Sequence, residues 1–120
     1  MDSRQRFTAW LEHPLIDSET KDELRSIAHA PTEVEDRFFK LLEFGTGGLR
    51  GKIGAGMNRM NVYTVSLATQ ALADVLKRQG QAHAGVAIAY DSRHMSREFA
   101  ETAAGVLVGN GIPVYVFKEL

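Results

Sequence analysis

Six of the chain's eleven glycines fall between Gly45 and Gly56, in the segment Phe44-Gly-Thr-Gly-Gly-Leu-Arg-Gly-Lys-Ile-Gly-Ala-Gly56. Glycine gives up more backbone freedom on folding than any other residue, so a regular helix or strand is a poor host for such a density. The segment reads instead as a loop with unusual dihedrals, or one whose backbone comes close to a ligand. Arg50 and Lys52 stand inside it. Amides freed of side chains beside two cations suit an anion, with phosphate the commonest candidate.

The segment divides the chain. Before it, residues 1–43 read as a helical extension: one helix around Phe7, Trp10 and Leu11, and a second starting near Asp17 or Ser18 with Leu24 and Ile27 apolar. A third follows Pro31, where Thr32-Glu-Val-Glu35 matches a capping box and predicts a helix to about Leu42, with Val34, Phe38, Leu41 and Leu42 on one face. After the segment, Val62, Val65, Ala68, Leu72, Val75 and Leu76 recur at helical steps of three and four, and Gly80 is placed to cap that helix. Gly85-Val-Ala-Ile-Ala-Tyr90 is a continuous apolar run, the pattern of a strand buried on both faces of a parallel sheet. Asp91-Ser-Arg-His-Met-Ser96 is then a polar loop, with Ser96 the expected N-cap of a helix through Asn110. Gly111 and a second strand, Pro113-Val-Tyr-Val-Phe117, follow.

Strand, helix and strand with short joints make a βαβ unit, so the expected class is α/β with a mostly parallel sheet. In such sheets functional loops lie at the carboxyl ends of the strands, here Asp91 to Ser96. A two-stranded parallel sheet is small for a doubly wound domain. Residues 44–120 are therefore expected to be the N-terminal part of an incomplete α/β/α domain, and the chain a fragment that self-associates through exposed sheet edges.

Composition narrows the partners. With 44% hydrophobic and 24% charged residues the chain is ordinary globular material, and its formal charge of -1 provides no general field for nucleic acid or an acidic membrane. Anion binding must then be local. The absence of cysteine removes thiolate chemistry and fits a reducing compartment. Neither a signal peptide nor a membrane span is read, so the expected location is cytoplasmic.

The usual nucleotide patterns do not own the glycine segment. Counting back from Gly51-Lys52 puts Thr46 where a Walker A loop needs glycine, and Ile53 follows the lysine. The dinucleotide pattern meets Arg50 at a required glycine. A non-nucleotide phosphate site with Arg50 as bidentate partner remains, beside a plain geometric crossover in which Arg50 pairs with a carboxylate. At the second loop, Asp91 and Arg93 read most simply as a loop-bracing ion pair, and His94 as a solvated histidine. His13, His29 and His83 lack metal-ligand spacing, no metal cluster is read, and no serine sits in a nucleophile elbow. Phe38, Phe39 and Phe44 read as core.

Three strings in this order, Leu42-Glu-Phe-Gly-Thr-Gly-Gly-Leu-Arg-Gly51, Gly54-Ala-Gly-Met-Asn-Arg-Met-Asn61 and Ile88-Ala-Tyr-Asp-Ser-Arg93, closely resemble the first domain of the α-D-phosphohexomutases. The resemblance covers essentially the whole chain and is nearest to the phosphoglucomutase and phosphopentomutase-like branch, which has a comparable helical extension. It implies a four-domain enzyme that interconverts hexose 1-phosphate and hexose 6-phosphate through a phosphoserine and a bisphosphorylated sugar. Magnesium and glucose 1,6-bisphosphate are the implied cofactor and activator, and a phosphorylated sugar the implied partner. It assigns Arg50, with Thr46, Gly47 and Gly48, to contact with phosphate, and Asp91 and Arg93 to a supporting signature. The donor serine loop and the metal loop are expected beyond Leu120, so no catalytic residue and no metal ligand is expected within the chain, which alone is expected to be inactive. Lys118 is not matched to the family's active-site lysine. A phosphopentomutase of the same family and a non-catalytic phosphosugar-binding module remain as alternatives.

Overall fold

A computed structural model of the chain describes residues 1–45, 48–49 and 51–118. They form two compact units, Met1–Thr64 and Val65–Leu120. The first begins with α1 (Ser3–Glu12), α2 (Ser18–Ile27) and α3 (Pro31–Phe38). Each helix start has its own chemistry. Asp2 and Gln5 form a reciprocal capping box on α1, and Asp17 caps α2 through the Thr20 amide. α3 instead starts on Pro31, with Ala30 as N-cap and no side-chain cap bond, so the box expected at Thr32 and Glu35 does not form. Proline takes the first helical position because its missing N–H would have had no partner there. This moves Thr32 into the first turn.

α3 also stops at Phe38, short of Leu42. Arg6 Nη1 donates to the carbonyls of Phe38 and Phe39 at 2.8 Å each, which satisfies helix-end acceptors that further turns would have used. The Leu42 amide donates to Met57 O at 2.8 Å. Leu41 is accordingly exposed, and so is Phe39, which leaves the expected core although Phe38 is fully buried. The core of this unit is Phe7, Leu24, Val34, Phe38 and Ala55. Phe38 receives Phe7 and Trp10 edge-on, with ring centroids 5.8 and 5.7 Å away. The Phe44 side chain lies outside the described residues.

Asp17 has a second partner besides its cap. Its carboxylate accepts from the Thr20 hydroxyl and the Tyr63 hydroxyl, each at 2.5 Å. These bonds, Thr20 first, bring its pKa down from 3.8 to about 2. A carboxyl held low in the folded state stabilises above its unfolded pKa and loses that contribution as pH falls through the folded value. Tyr63→Phe should therefore move the Asp17 titration to higher pH and start the acid-side loss of stability earlier. Carboxyl NMR titration checks this, and an unmoved midpoint would refute it.

The second unit holds most of α4 (Val62–Arg78), then β3 (Val86–Tyr90), α5 (Ser96–Gly109) and β4 (Val114–Lys118). β1 (Phe44–Gly45) and β2 (Gly48–Leu49) form a short antiparallel pair in the first unit. β3 and β4 are parallel, in register from Val86 opposite Val114 to Tyr90 opposite Lys118, so the βαβ unit and the α/β class are present. Both helices end the same way. The amide of Gln81 donates to Leu76 O and that of Gly80 to Lys77 O; Ile112 and Gly111 repeat this on Leu107 and Val108. This double closure needs a left-handed residue, supplied by Gly80 and Gly111 at φ 70° and 75°.

Burial along these elements differs from the sequence expectation in two places. On α4 the buried line is Val65, Thr69 and Ala73, whereas Leu72 and Val75 are exposed. The apolar stripe is thus wider than the covered one. On β3, Val86, Ile88 and Tyr90 are half-buried, but Ala87 and Ala89 are exposed, as are their register partners Tyr115 and Phe117. Burial on both faces is not found, because the described residues supply a packed layer to one face. That core is Ala73, Leu107 and Ile112 with Leu76, Val86, Ile88 and Val114 around it. Among the described residues no helix is long and apolar enough to cross a membrane.

Candidate functional site

Thr46, Gly47 and Arg50, the centre of the expected phosphate loop, lie outside the described residues. Gly48 is in β2, opposite Gly45. What the structure does describe is the downstream limb, residues 51–61, which is held by main-chain hydrogen bonds within itself. Met60 N donates to Lys52 O at 2.7 Å, Gly54 N to Met60 O at 3.2 Å, and Ile53 bridges Met60. The bend between them carries Gly54, Ala55 and Gly56.

Side chains from elsewhere in the unit grip that bend. Asn61 Nδ2 donates to Gly54 O at 2.8 Å and Gly56 O at 2.9 Å, while its Oδ1 accepts from the amides of Tyr63 and Thr64. One asparagine therefore caps α4 and ties the bend to it. On the other side, Glu23 Oε2 accepts from Ala55 N at 2.7 Å, and Arg37 Nη1 donates to Ala55 O at 3.1 Å. Gly56, at φ 127°, leaves no room for a side chain: a Cβ there would lie 2.9 Å from Arg37 Cβ and 3.0 Å from Arg37 O. Glycine is required at this position on both counts.

Two arginines, Arg59 buried and Arg37 half-buried, pair with carboxylates of α2 and α3. Arg37 pairs with Glu23 at 2.6 Å and Glu33 at 2.9 Å; Arg59, 5% exposed, pairs with Asp36 at 2.5 Å and approaches Glu33 at 3.6 Å. Desolvation alone would raise the Glu23 pKa, but the Ala55 amide and Arg37 outweigh it and the carboxyl is held below its ordinary value. The Arg59 hydrogen bond and charge lower Asp36 likewise. Arg37 and Arg59 are thus engaged by carboxylates and not presented to a ligand, whereas Lys52 is exposed. None of Glu23, Arg37, Arg59 or Asn61 stood out as a site residue in the sequence. Arg59 and Asn61 were visible inside the second family-like string, but their carboxylate and carbonyl partners come from distant positions.

The second candidate loop belongs to the other unit. Arg93 Nε meets Asp91 Oδ2 at 2.8 Å, and Asp91 Oδ1 accepts from the Arg93 amide at 3.0 Å, so the loop-bracing pair forms. The Arg93 amide, ahead of other contributions, lowers the Asp91 pKa. Ser96 is not the N-cap. It is the first residue of α5, its Oγ accepts from Asp91 N at 3.1 Å, and Met95 precedes it in the left-handed region at φ 64°. The hydroxyl is used to close the loop, and so is not turned toward the helix amides. Among the described residues no group of three or more His, Asp or Glu side chains is placed to hold a metal ion.

Comparison with known proteins bears on these loops. A family model described as phosphoglucomutase/phosphomannomutase, alpha/beta/alpha domain I, matches residues 41–120. A phosphopentomutase of Mus musculus is 34% identical over 121 positions, covering 92% of this chain and 19% of the mouse protein. A phosphoglucomutase of Staphylococcus epidermidis is 45% identical over 75 residues, and a probable phosphoribomutase of Schizosaccharomyces pombe 44% over 79; these alignments cover 62% and 64% of the chain and 14% of each relative. The chain therefore spans less than a fifth of the length of these relatives. No solved structure is significantly similar.

Proposed function

Since the chain belongs to the phosphoglucomutase/phosphomannomutase family, with residues 41–120 matching its domain I, we propose that it is part of a phosphosugar mutase. The protein containing it would interconvert hexose 1-phosphate and hexose 6-phosphate through a phosphoserine and a bisphosphorylated sugar. Within this chain, Arg50 and the backbone of Thr46, Gly47 and Gly48 would bind phosphate, and Asp91 and Arg93 would have a supporting role. Phosphoryl transfer relies on positioning and on neutralising charge across the phosphoryl oxygens, which amides and a guanidinium supply without forming a covalent bond. The observation that carries the reading is the family match, which encloses both candidate loops.

Magnesium would neutralise phosphoryl charge, held by ligands outside residues 1–120. Glucose 1,6-bisphosphate would serve as intermediate and activator, and the location would be cytoplasmic. A pentose phosphate is the second reading, favoured by the identity to a phosphopentomutase along 92% of the chain. The protein containing this chain, incubated with glucose 1-phosphate or ribose 1-phosphate with and without magnesium, should convert the glucose ester in a magnesium-dependent way. Preferential conversion of ribose 1-phosphate would replace hexose by pentose, and no conversion of either would leave a non-catalytic sugar-phosphate module.

A further inference from the structure

α5 stops on the pair Asn110-Gly111. Gly111 stands in the left-handed region at φ 75°, where its amide donates to Val108 O at 2.9 Å and the next amide, that of Ile112, donates to Leu107 O at 3.0 Å. Asn110 joins this stop to α4. Its Nδ2 donates to Gln70 Oε1 at 2.9 Å and to Val106 O at 2.8 Å, and its Oδ1 accepts from Lys77 Nζ at 2.6 Å and from Gln70 Nε2 at 3.1 Å. Both hydrogens and both lone pairs of the side-chain amide are thereby used. Gln70 Nε2 also donates to Asp74 Oδ1 at 2.9 Å, which steadies the Gln70 side chain from its other side.

Asparagine followed by glycine is a chemically labile pair, because glycine has no Cβ to shield its main-chain nitrogen. We propose that Asn110 is a site of spontaneous deamidation that the folded helix stop holds closed, and whose conversion releases the pin between α4 and α5. Gly111 N gives up its proton and attacks Asn110 Cγ; the new N–Cγ bond closes a succinimide ring, the Cγ–Nδ2 bond breaks and ammonia leaves. Water then opens the ring to aspartate or isoaspartate. In the folded unit the Gly111 hydrogen is held by Val108 O and the leaving nitrogen by Gln70 and Val106, so the reaction waits for local opening. Lys77 polarises the Asn110 carbonyl, but a closed stop presents no attacking nitrogen, and opening therefore sets the rate. After conversion, aspartate has no donor left for Gln70 Oε1 and Val106 O, and isoaspartate adds a methylene to the main chain inside the closure of α5.

The test follows the peptide spanning Asn110 by mass spectrometry, in the protein that contains this chain, kept at mildly alkaline pH either folded or in guanidinium chloride. The mass gain from replacing NH2 by OH should appear in the denatured protein and be at least about a hundredfold slower in the folded one, because reaction follows the open population. Gln70→Ala, which removes one partner of Nδ2 and one of Oδ1, should speed the folded reaction about tenfold, the effect of losing hydrogen bonds that oppose opening. Lys77→Ala, at an exposed position, loosens the same pin and carries the test if Gln70→Ala does not fold. In Asn110→Asp, hydrogen exchange at the Gly111 and Ile112 amides should quicken about tenfold. The proposal is overturned by no conversion in guanidinium chloride, by equal rates in the folded and denatured protein, by an unmoved rate in whichever pin variant folds, or by unchanged exchange in Asn110→Asp.

Discussion

Arg50→Ala, in the protein that contains this chain, should lower kcat by about a hundred- to a thousandfold, the range seen when one pre-positioned donor to a developing charge is removed. The loss should be large because a guanidinium offers phosphate two parallel donors and a full charge, and alanine offers neither. Arg50→Lys should restore part of the charge but not the planar fork, so it should fall between wild type and alanine. The melting temperature should change little, since the described core of the first unit is built by Phe7, Leu24, Val34, Phe38 and Ala55. Steady-state kinetics with glucose 1-phosphate, read beside thermal unfolding, decides the matter. Near wild-type turnover in the alanine variant would remove Arg50 from the phosphate site, and with it the main chemical role proposed for the glycine segment.

The second large effect concerns stability. Phe38→Ala should cost about 3–5 kcal/mol, the usual cost of truncating a buried aromatic. Phe38 is 0% exposed, lies edge-on to both Phe7 and Trp10, and has its carbonyl bound by Arg6. Little can move in to refill the space, because the surrounding helices are short and their ends are already tied by caps. Folded domains are stable by only about 5–15 kcal/mol, so this one change should largely unfold the Met1–Thr64 unit at moderate denaturant. Urea unfolding followed by fluorescence of Trp10, the chain's single tryptophan, reports it directly. A loss below about 1 kcal/mol would mean that the site repacks around the missing ring.

Local chemistry was legible without the structure wherever the cause was local. Helical periodicity located α1, α2, α4 and α5, and the glycines that close α4 and α5 were visible because a left-handed residue is a one-position requirement. The βαβ unit followed from an apolar run, a helix and a second apolar run with short joints. The same local reasoning misplaced two caps. Thr32 and Ser96 have the right side chains for the role, but Pro31 already starts α3, and the Ser96 hydroxyl is taken by the Asp91 amide. Capping is a competition among nearby donors, and the sequence names the candidates without naming the winner.

The sequence by itself determined the class of the chain and the character of its candidate loops: glycine density with Arg50 inside it, an acid and a base at the carboxyl end of a parallel strand, and three strings in family order. Only the tertiary structure decided that two of the cations are used internally. Arg37 and Arg59 are cations like Arg50 in the sequence, yet folding brings Glu23, Glu33 and Asp36 against them and uses their charge internally. It likewise decided that β3 is half-buried on one face and exposed on the other. Both results depend on groups that are far apart along the chain, whose meeting is set by packing and not by any local preference.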